Sequence, residues 1–190
     1  MHPPLVVGLT GGIGSGKSEA LAAFRRHGAA TLSSDEVVRE LYQRQDLRQA
    51  VREHFGPAAI ASDGGVDRAH IAERVFSDAD ERRWLEALLL PLIAERFAEW
   101  RDAEIAAGAR LLVHEAPTLF EAGTEGRYDT IVTVTAPQEL RAARRPGSAA
   151  RMAHQLPESE KIARSHHVYH NSGSLDDLDR WVADLVERLT

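Results

Sequence analysis

Residues 5–18 read LVVGLTGGIGSGKS, and this stretch decides the fold of the chain. Its first residues are apolar and β-favouring, which predicts a buried strand. The spacing G-x-x-x-x-G-K-S then runs from Gly11 to Ser18, and residues 19–24 (EALAAF) continue as a helical run. Strand, glycine loop and helix in this order form the context in which the motif binds phosphate. The glycines let successive backbone N–H groups turn inward, and the helix adds its positive N-terminal end.

Two side chains of this phosphate loop, residues 11–18, carry chemistry. In proteins with this motif the lysine reaches the β- and γ-phosphates and the following hydroxyl ligates Mg²⁺, roles that fall on Lys17 and Ser18. Lys17 and Lys161 are the two lysines of a chain with 21 arginines, and a compact ammonium suits the loop. A glycine-rich turn without a ligand is the alternative. Motif and flanking pattern agree, so the sequence predicts a nucleotide-binding protein.

Length and composition indicate one globular α/β domain of 190 residues. The net charge of −6 argues against broad nucleic-acid binding, and the absence of cysteine excludes disulfides and thiolate zinc sites. The apolar runs are too short to cross a membrane. The first strand begins at residue 5, which leaves no room for a signal peptide. We therefore expect a cytoplasmic protein, a monomer or weak homo-oligomer, with no nucleic-acid or membrane partner.

The rest of the chain alternates strand and helix signals. Further strands are expected at residues 29–32, 109–115, 128–135 and 167–170. Residues from about 46 to 107 have little strand signal and are expected to form a mainly helical insertion, whose long helix is interrupted by Pro91. A turn and short helix are expected at 117–123, and an amphipathic helix at 175–189.

Two acidic residues follow or end predicted strands near the phosphate loop. Asp35 either caps the next helix or faces the reaction centre, where it would deprotonate an acceptor hydroxyl or help to hold Mg²⁺. Glu115 ends the third strand, where the second phosphate-loop motif places its magnesium-shell carboxylate. Spacing alone leaves both interpretations of Asp35 open.

A basic helical stretch follows Pro137 and contains Arg141, Arg144, Arg145 and Arg151. A run of charge is usually the solvated face of a helix. The alternative is that these arginines close over transferring phosphates, as lid arginines do. The sequence alone leaves both alternatives open.

Taken together, the motifs resemble those of the dephospho-coenzyme A kinase family. The matching segments, which span nearly the whole chain, are LTGGIGSGKS, SSDEVVREL, APTLFEAG, YDTIVTV, HQLPESEK and HNSGSLDDL. Many NTPases share the glycine loop, whereas the ordered set P-x-L-F-E, Q-x-x-x-x-E-K and N-S-G-S is more specific. The resemblance implies transfer of the ATP γ-phosphate to the ribose 3′-hydroxyl of dephospho-CoA, the last step of coenzyme A synthesis. It also implies Mg²⁺ as cofactor, with ATP and dephospho-CoA as ligands.

The resemblance implies a three-layer P-loop kinase fold, in which helices flank a five-stranded parallel sheet. The whole chain, residues 1–190, would be a single domain. Its expected parts are a core at about 1–45, 108–137 and 156–190, a helical acceptor-binding insertion at about 46–107, and a short lid at about 138–155.

The family's functional positions also map onto this sequence by resemblance. The catalytic residues would be Lys17, Asp35 as the base, and Arg144. The ATP-binding residues would be Gly11, Gly12, Ile13, Gly14, Ser15, Gly16, Lys17, Ser18 and Asn171. The substrate-binding residues would be Thr10, Asp35, Arg39, Pro117 and Leu119. The metal-binding residues, which the phosphate-loop motif and the acidic strand ends indicate, would be Ser18, Asp35 and Glu115.

The chain departs from the family pattern at several positions. Two serines precede Asp35 in place of Asp-Ala, Leu90 replaces a histidine, and the segment between Arg144 and Gln155 is shorter than the usual lid. A kinase with another small acceptor therefore stays open, as does a catalytically weak nucleotide-binding module. A signalling GTPase is disfavoured because guanine recognition in that class uses N-K-x-D, and the only asparagine is Asn171.

Overall fold

The computed structural model describes residues 3–145 and 155–190, which form two compact units. The first unit comprises the described residues of Met1–Ser33 and Trp100–Thr190. The second unit is Ser34–Glu99. Half of the lid expected at about 138–155, residues 146–154, lies outside the described residues.

A five-stranded, all-parallel sheet forms the centre of the first unit. Its strands are β1 (Leu5–Gly11), β2 (Ala30–Ser33), β3 (Leu111–Glu115), β4 (Thr130–Thr135) and β5 (His167–His170). They lie in the order β2-β3-β1-β4-β5, with every neighbouring pair parallel. Nearly every residue of β1, β3 and β4 is buried, as expected for parallel strands covered on both faces. The predicted five-stranded parallel sheet with flanking helices is confirmed.

The helices connect these strands, form the second unit or follow β5. They are α1 (Lys17–Arg26), α2 (Ser34–Leu41), α3 (Gln45–Phe55), α4 (Arg68–Ser77), α5 (Ala79–Ala106), α6 (Gln138–Arg144), α7 (Glu158–Ala163) and α8 (Leu175–Leu189). Among the described residues, no helix is both long and apolar enough to cross a bilayer.

One face of the sheet packs against α1 and α8. Phe24 of α1 and Val182 of α8 are fully buried in the same cluster as Val7, Val113 and Val132 of the strands. A capping box fixes the start of α8, because the Ser174 and Asp177 side chains each accept a hydrogen bond from the other residue's backbone N–H. This packing positions α1, and therefore the loop that precedes it.

The opposite face of the sheet carries a smaller cluster. Successive strand residues point to opposite faces, so Ile131 faces away from Val132. Ile131 packs with Leu119, Phe120 and Ala116, all buried, and Leu156 contacts this cluster. The segment 117–123 forms consecutive turns here in place of the short helix that was expected. The turns bring the side chains of Leu119 and Phe120 inward, and both side chains are buried in the cluster.

The second unit is helical, as expected for the insertion. Asp67 caps α4 by accepting hydrogen bonds from two backbone N–H groups, and His54 stacks on Trp84 with ring centroids 3.7 Å apart. The prediction that Pro91 interrupts the long helix is wrong, because α5 continues through it. Proline removes one intrahelical hydrogen bond, but the bonds of the neighbouring turns remain, and Leu89 and Phe97 are buried on either side.

A buried histidine lies in β3, the strand beside the central strand β1. His114 of β3 is 3% exposed, and its Nδ1 lies 2.9 Å from the Tyr128 hydroxyl. Burial, with a smaller contribution from the charge of Arg127, lowers the pKa of His114 from 6.5 to about 4. Burial raises the pKa of Tyr128 to about 12, so its hydroxyl stays protonated at neutral pH.

His114 should make the protein less stable in mild acid. The unfolded chain takes up this proton near pH 6.5 and the folded chain only near pH 4, so stability falls between these values and then levels off. The expected loss is about 3 kcal/mol. Urea titrations across this range on the native protein and on His114→Gln test it. The difference between their unfolding free energies should change with pH by that amount, and parallel pH profiles would contradict the prediction.

Candidate active site

The phosphate loop joins the carboxyl end of β1 to the first turn of α1. Gly16 precedes α1 and has a φ of +103°, which residues other than glycine rarely adopt. A Cβ at Gly16 would also lie 2.2 Å from the Asn171 side-chain nitrogen. A Cβ at Gly14, where φ is +77°, would lie 2.8 Å from the backbone oxygen of Arg141. Glycine is therefore required at both positions, by backbone conformation and by close neighbours.

Lys17 folds back along the phosphate loop. Its Nζ donates hydrogen bonds to the backbone oxygens of Gly11 and Gly12, each at 3.0 Å, and the residue is 8% exposed. Ser18, one residue later, is exposed on the first turn of α1. The Ser15 hydroxyl is buried and has no hydrogen-bond partner among the described residues. An ammonium, two hydroxyls and a helix N-terminus thus meet in one loop, a set of groups that suits a polyphosphate.

Asn171 supports the same loop from the end of β5. It is 4% exposed, and its side-chain nitrogen donates to the Ser15 backbone oxygen at 2.8 Å. Its own backbone N–H donates to the Thr135 oxygen at 2.8 Å, which ties it to the sheet. The structure therefore places Asn171 against the main chain of the phosphate loop.

The basic helix α6 contacts the phosphate loop through two arginines. The Arg141 Nε donates to the Ile13 backbone oxygen at 3.2 Å, and its Nη1 lies 3.1 Å from a Glu158 carboxylate oxygen. Arg141 is 8% exposed, whereas Arg144 is exposed and its Nη1 lies 3.4 Å from the Gly14 oxygen. The helix is thus attached to the loop, and α7 is attached to the helix through Glu158.

The predicted acidic residues differ in their surroundings. Glu115 is 5% exposed and accepts a hydrogen bond of 2.8 Å from the Ser33 hydroxyl, at the carboxyl ends of two neighbouring strands. Asp35 is exposed and lies in the first turn of α2, which begins at Ser34. It therefore does not occupy the position that precedes the helix. The Arg39 Nε donates to the Asp35 backbone oxygen at 3.3 Å.

Thr10 contacts Pro117 at the carboxyl end of β1, and Leu119 lies two residues further along the turns at 117–123. The Thr10 hydroxyl donates to the Pro117 backbone oxygen at 3.2 Å, and Thr10 is fully buried. Leu119 is 1% exposed and belongs to the apolar cluster beneath the sheet. Its side chain is therefore part of the core, and Pro117 is the more accessible of the two.

Comparison with known proteins identifies the family. The sequence model of the family described as Dephospho-CoA kinase matches residues 5–177, which include the whole phosphate loop. The chain belongs to the dephospho-CoA kinase family. It is 39% identical to the dephospho-CoA kinase of Syntrophotalea carbinolica, over 97% of this chain and 92% of that protein. It is also 39% identical to the enzyme of the same name from Frankia casuarinae, over 96% of this chain and 82% of that protein.

Solved structures have the same architecture. A protein from Thermus thermophilus is 35% identical, with both chains fully covered and a TM-score of 0.80. The dephospho-CoA kinase from Campylobacter jejuni is 21% identical, with 96% of each chain covered and a TM-score of 0.71. The shikimate kinase of Aquifex aeolicus is 13% identical, with 97% of each chain covered and a TM-score of 0.52. The last two show that the fold is shared at low sequence identity.

The groups suited to Mg²⁺ in this member of the family are oxygen donors. Ser18 offers a hydroxyl on the first turn of α1, and Glu115 offers a carboxylate. Within the described ranges, no three His, Asp or Glu side chains cluster as a metal site. Mg²⁺ in kinases binds through one or two carboxylates, together with substrate phosphates and water, so the donor set fits this ion.

Sequence reasoning missed two residues that contact the phosphate loop or support such a contact. It left Arg141 within a basic stretch and did not select Glu158 at all. Arg141 and Arg144 are three residues apart, which places them on the same helix face, and this spacing was the available signal for Arg141. No local signal pairs Glu158 with Arg141, because the two belong to different helices.

Proposed function

We propose that the protein transfers the γ-phosphate of ATP to the ribose 3′-hydroxyl of dephospho-CoA. The family match over residues 5–177 carries this proposal. The formed phosphate loop supports it, because the loop supplies the donors that a nucleoside triphosphate requires. The helical residues of about 46–107 would contribute to acceptor binding, and residues of about 138–155 would form the lid.

The loop residues would hold and orient the transferred group. When ATP binds, the Lys17 ammonium would leave the backbone oxygens of Gly11 and Gly12 and donate to β- and γ-phosphate oxygens instead. Gly11, Gly12, Ile13, Gly14, Ser15 and Gly16 would present the loop to the phosphates, with Asn171 behind them. Mg²⁺ would neutralise phosphate charge, and we propose that Ser18, Glu115 and Asp35 would hold the ion.

Asp35 would act as the general base. Its carboxylate would accept the 3′-hydroxyl proton as the ribose oxygen bonds to the γ-phosphorus and the bond to the ADP oxygen breaks. Arg144 would stabilise the charge that develops on the transferring group. Thr10, Arg39, Pro117 and Leu119 would position the acceptor, Leu119 through its place in the core.

Release of ADP tests the proposed reaction. Purified protein with ATP and Mg²⁺ should release ADP when dephospho-CoA is added, and the product should carry one added phosphoryl group by mass spectrometry. Coenzyme A is the matched control, because its 3′-oxygen is already phosphorylated. A melting-temperature increase with ATP but no response to dephospho-CoA would indicate another acceptor or a binding module. No response to either compound would refute nucleotide binding.

A further inference from the structure

The second lysine of the chain is completely enclosed. Lys161 of α7 is 1% exposed, and its Nζ lies 2.7 Å from a Glu121 carboxylate oxygen. The same oxygen accepts a hydrogen bond of 2.9 Å from the Leu156 backbone N–H. The pair therefore connects α7 and the residues before it to the turns at 117–123.

Lys161 also reaches the proposed acceptor site. Its Nζ donates to the Pro117 backbone oxygen at 3.1 Å, and the Thr10 hydroxyl donates to the same oxygen at 3.2 Å. One carbonyl thus receives two donors, one from β1 and one from α7. Thr10 directly precedes the phosphate loop, so the ammonium fixes the geometry between the end of β1 and the Pro117 turn.

Stability alone gives no reason for a charge at this position. Replacing a buried ion pair by uncharged side chains of similar volume is often neutral or stabilising, whereas removing one partner leaves a costly unpaired charge. What an ammonium supplies here, and an apolar side chain does not, is a donor aimed at the Pro117 carbonyl. The contact between the Lys161 Nζ and the Pro117 oxygen therefore indicates that Lys161 orients the Pro117 turn.

We propose that Lys161 is a positioning residue for acceptor binding, acting through the Pro117 carbonyl and held in place by Glu121. This inference rests on the proposed function, because it requires that Thr10 and Pro117 contact the acceptor. ATP phosphates are expected on the phosphate loop, which Arg141 and Asn171 support from other elements. Loss of Lys161 should therefore affect the acceptor more than ATP.

The test compares three variants with the native protein. Lys161→Met removes the donor and leaves Glu121 without its cation. Lys161→Met combined with Glu121→Gln also removes the carboxylate charge, while the amide oxygen still accepts from the Leu156 N–H. Arg180→Met is the surface control, because Arg180 pairs with Asp177 on the exposed side of α8. Melting temperature and the KM values for ATP and dephospho-CoA are measured for each.

Both Lys161 variants should raise the KM for dephospho-CoA roughly tenfold and leave the KM for ATP within about twofold. The double variant should recover most of the melting temperature lost in Lys161→Met, without recovering this KM. Recovery of both quantities would overturn the inference and reduce the pair to a stabilising contact. Equal changes in both KM values would also overturn it. If the native protein does not phosphorylate dephospho-CoA, the proposed function itself fails, and these variants are not needed to show it.

Discussion

Replacing Lys17 by methionine should lower kcat/KM for phosphoryl transfer by roughly 10³-fold. The ammonium is the loop's compact positive charge, and it already lies within hydrogen-bond distance of two loop carbonyls. Charge builds up on the phosphate oxygens during transfer, and a methionine cannot stabilise it. Methionine has a similar length and fits a residue that is 8% exposed, so the fold should persist.

Two measurements separate this effect from damage to the loop. The melting temperature without ligand reports the fold, and the melting-temperature shift with ATP reports binding. Lys17→Arg is the matched variant that keeps the charge. It should remain strongly impaired, because a planar guanidinium does not replace a point charge enclosed by the loop. Native turnover in Lys17→Met would remove Lys17 from the mechanism.

Replacing Asp35 by asparagine should reduce kcat by roughly 10²–10⁴-fold, because an amide cannot accept the 3′-hydroxyl proton. Asp35 is exposed in the first turn of α2, so the substitution removes little packing. Its carboxylate also lies near the positive end of the helix, an interaction worth about 0.3–1 kcal/mol. The fold should therefore lose little stability while catalysis fails.

Glu36→Gln provides the control for helix charge. Glu36 is the neighbouring acidic residue of the same turn and is also exposed. Both variants should lower the melting temperature to a similar small extent, and only Asp35→Asn should slow transfer. Equal activities in the two variants would show that Asp35 serves the helix and not the reaction.

Features that depend on neighbouring residues were predictable from the sequence. The order strand, loop and helix around residues 5–24 follows from the glycine spacing and apolar runs, and the positive φ at Gly16 is what that spacing requires. The bounds of β5 and α8 match the prediction because turn and capping residues separate them. In each case the residues of the segment itself were enough to predict its structure.

Features that depend on distant contacts were not predictable in the same way. Neither the Arg141–Glu158 pair nor the contact between Lys161 and Pro117 has a local signature, because packing of α6 and α7 creates them. The predicted helix break at Pro91 came from the intrinsic tendency of proline to break helices. Burial of neighbouring residues along α5 overrides this tendency. The variants above test the roles of Lys17 and Asp35, and the roles of Arg144 and the other proposed site residues remain predictions.

The hydrogen bond from Asn171 to Ser15 affects when the phosphate loop becomes supported as the polypeptide is synthesised. Its two residues are 156 positions apart, so the ribosome makes the phosphate loop long before the residue that supports it. A nascent or truncated chain that ends before β5 contains the entire G-x-x-x-x-G-K-S motif but lacks this support. Tight nucleotide binding should then arise only after β5 has joined β4 in the sheet, which makes it a reporter of sheet completion.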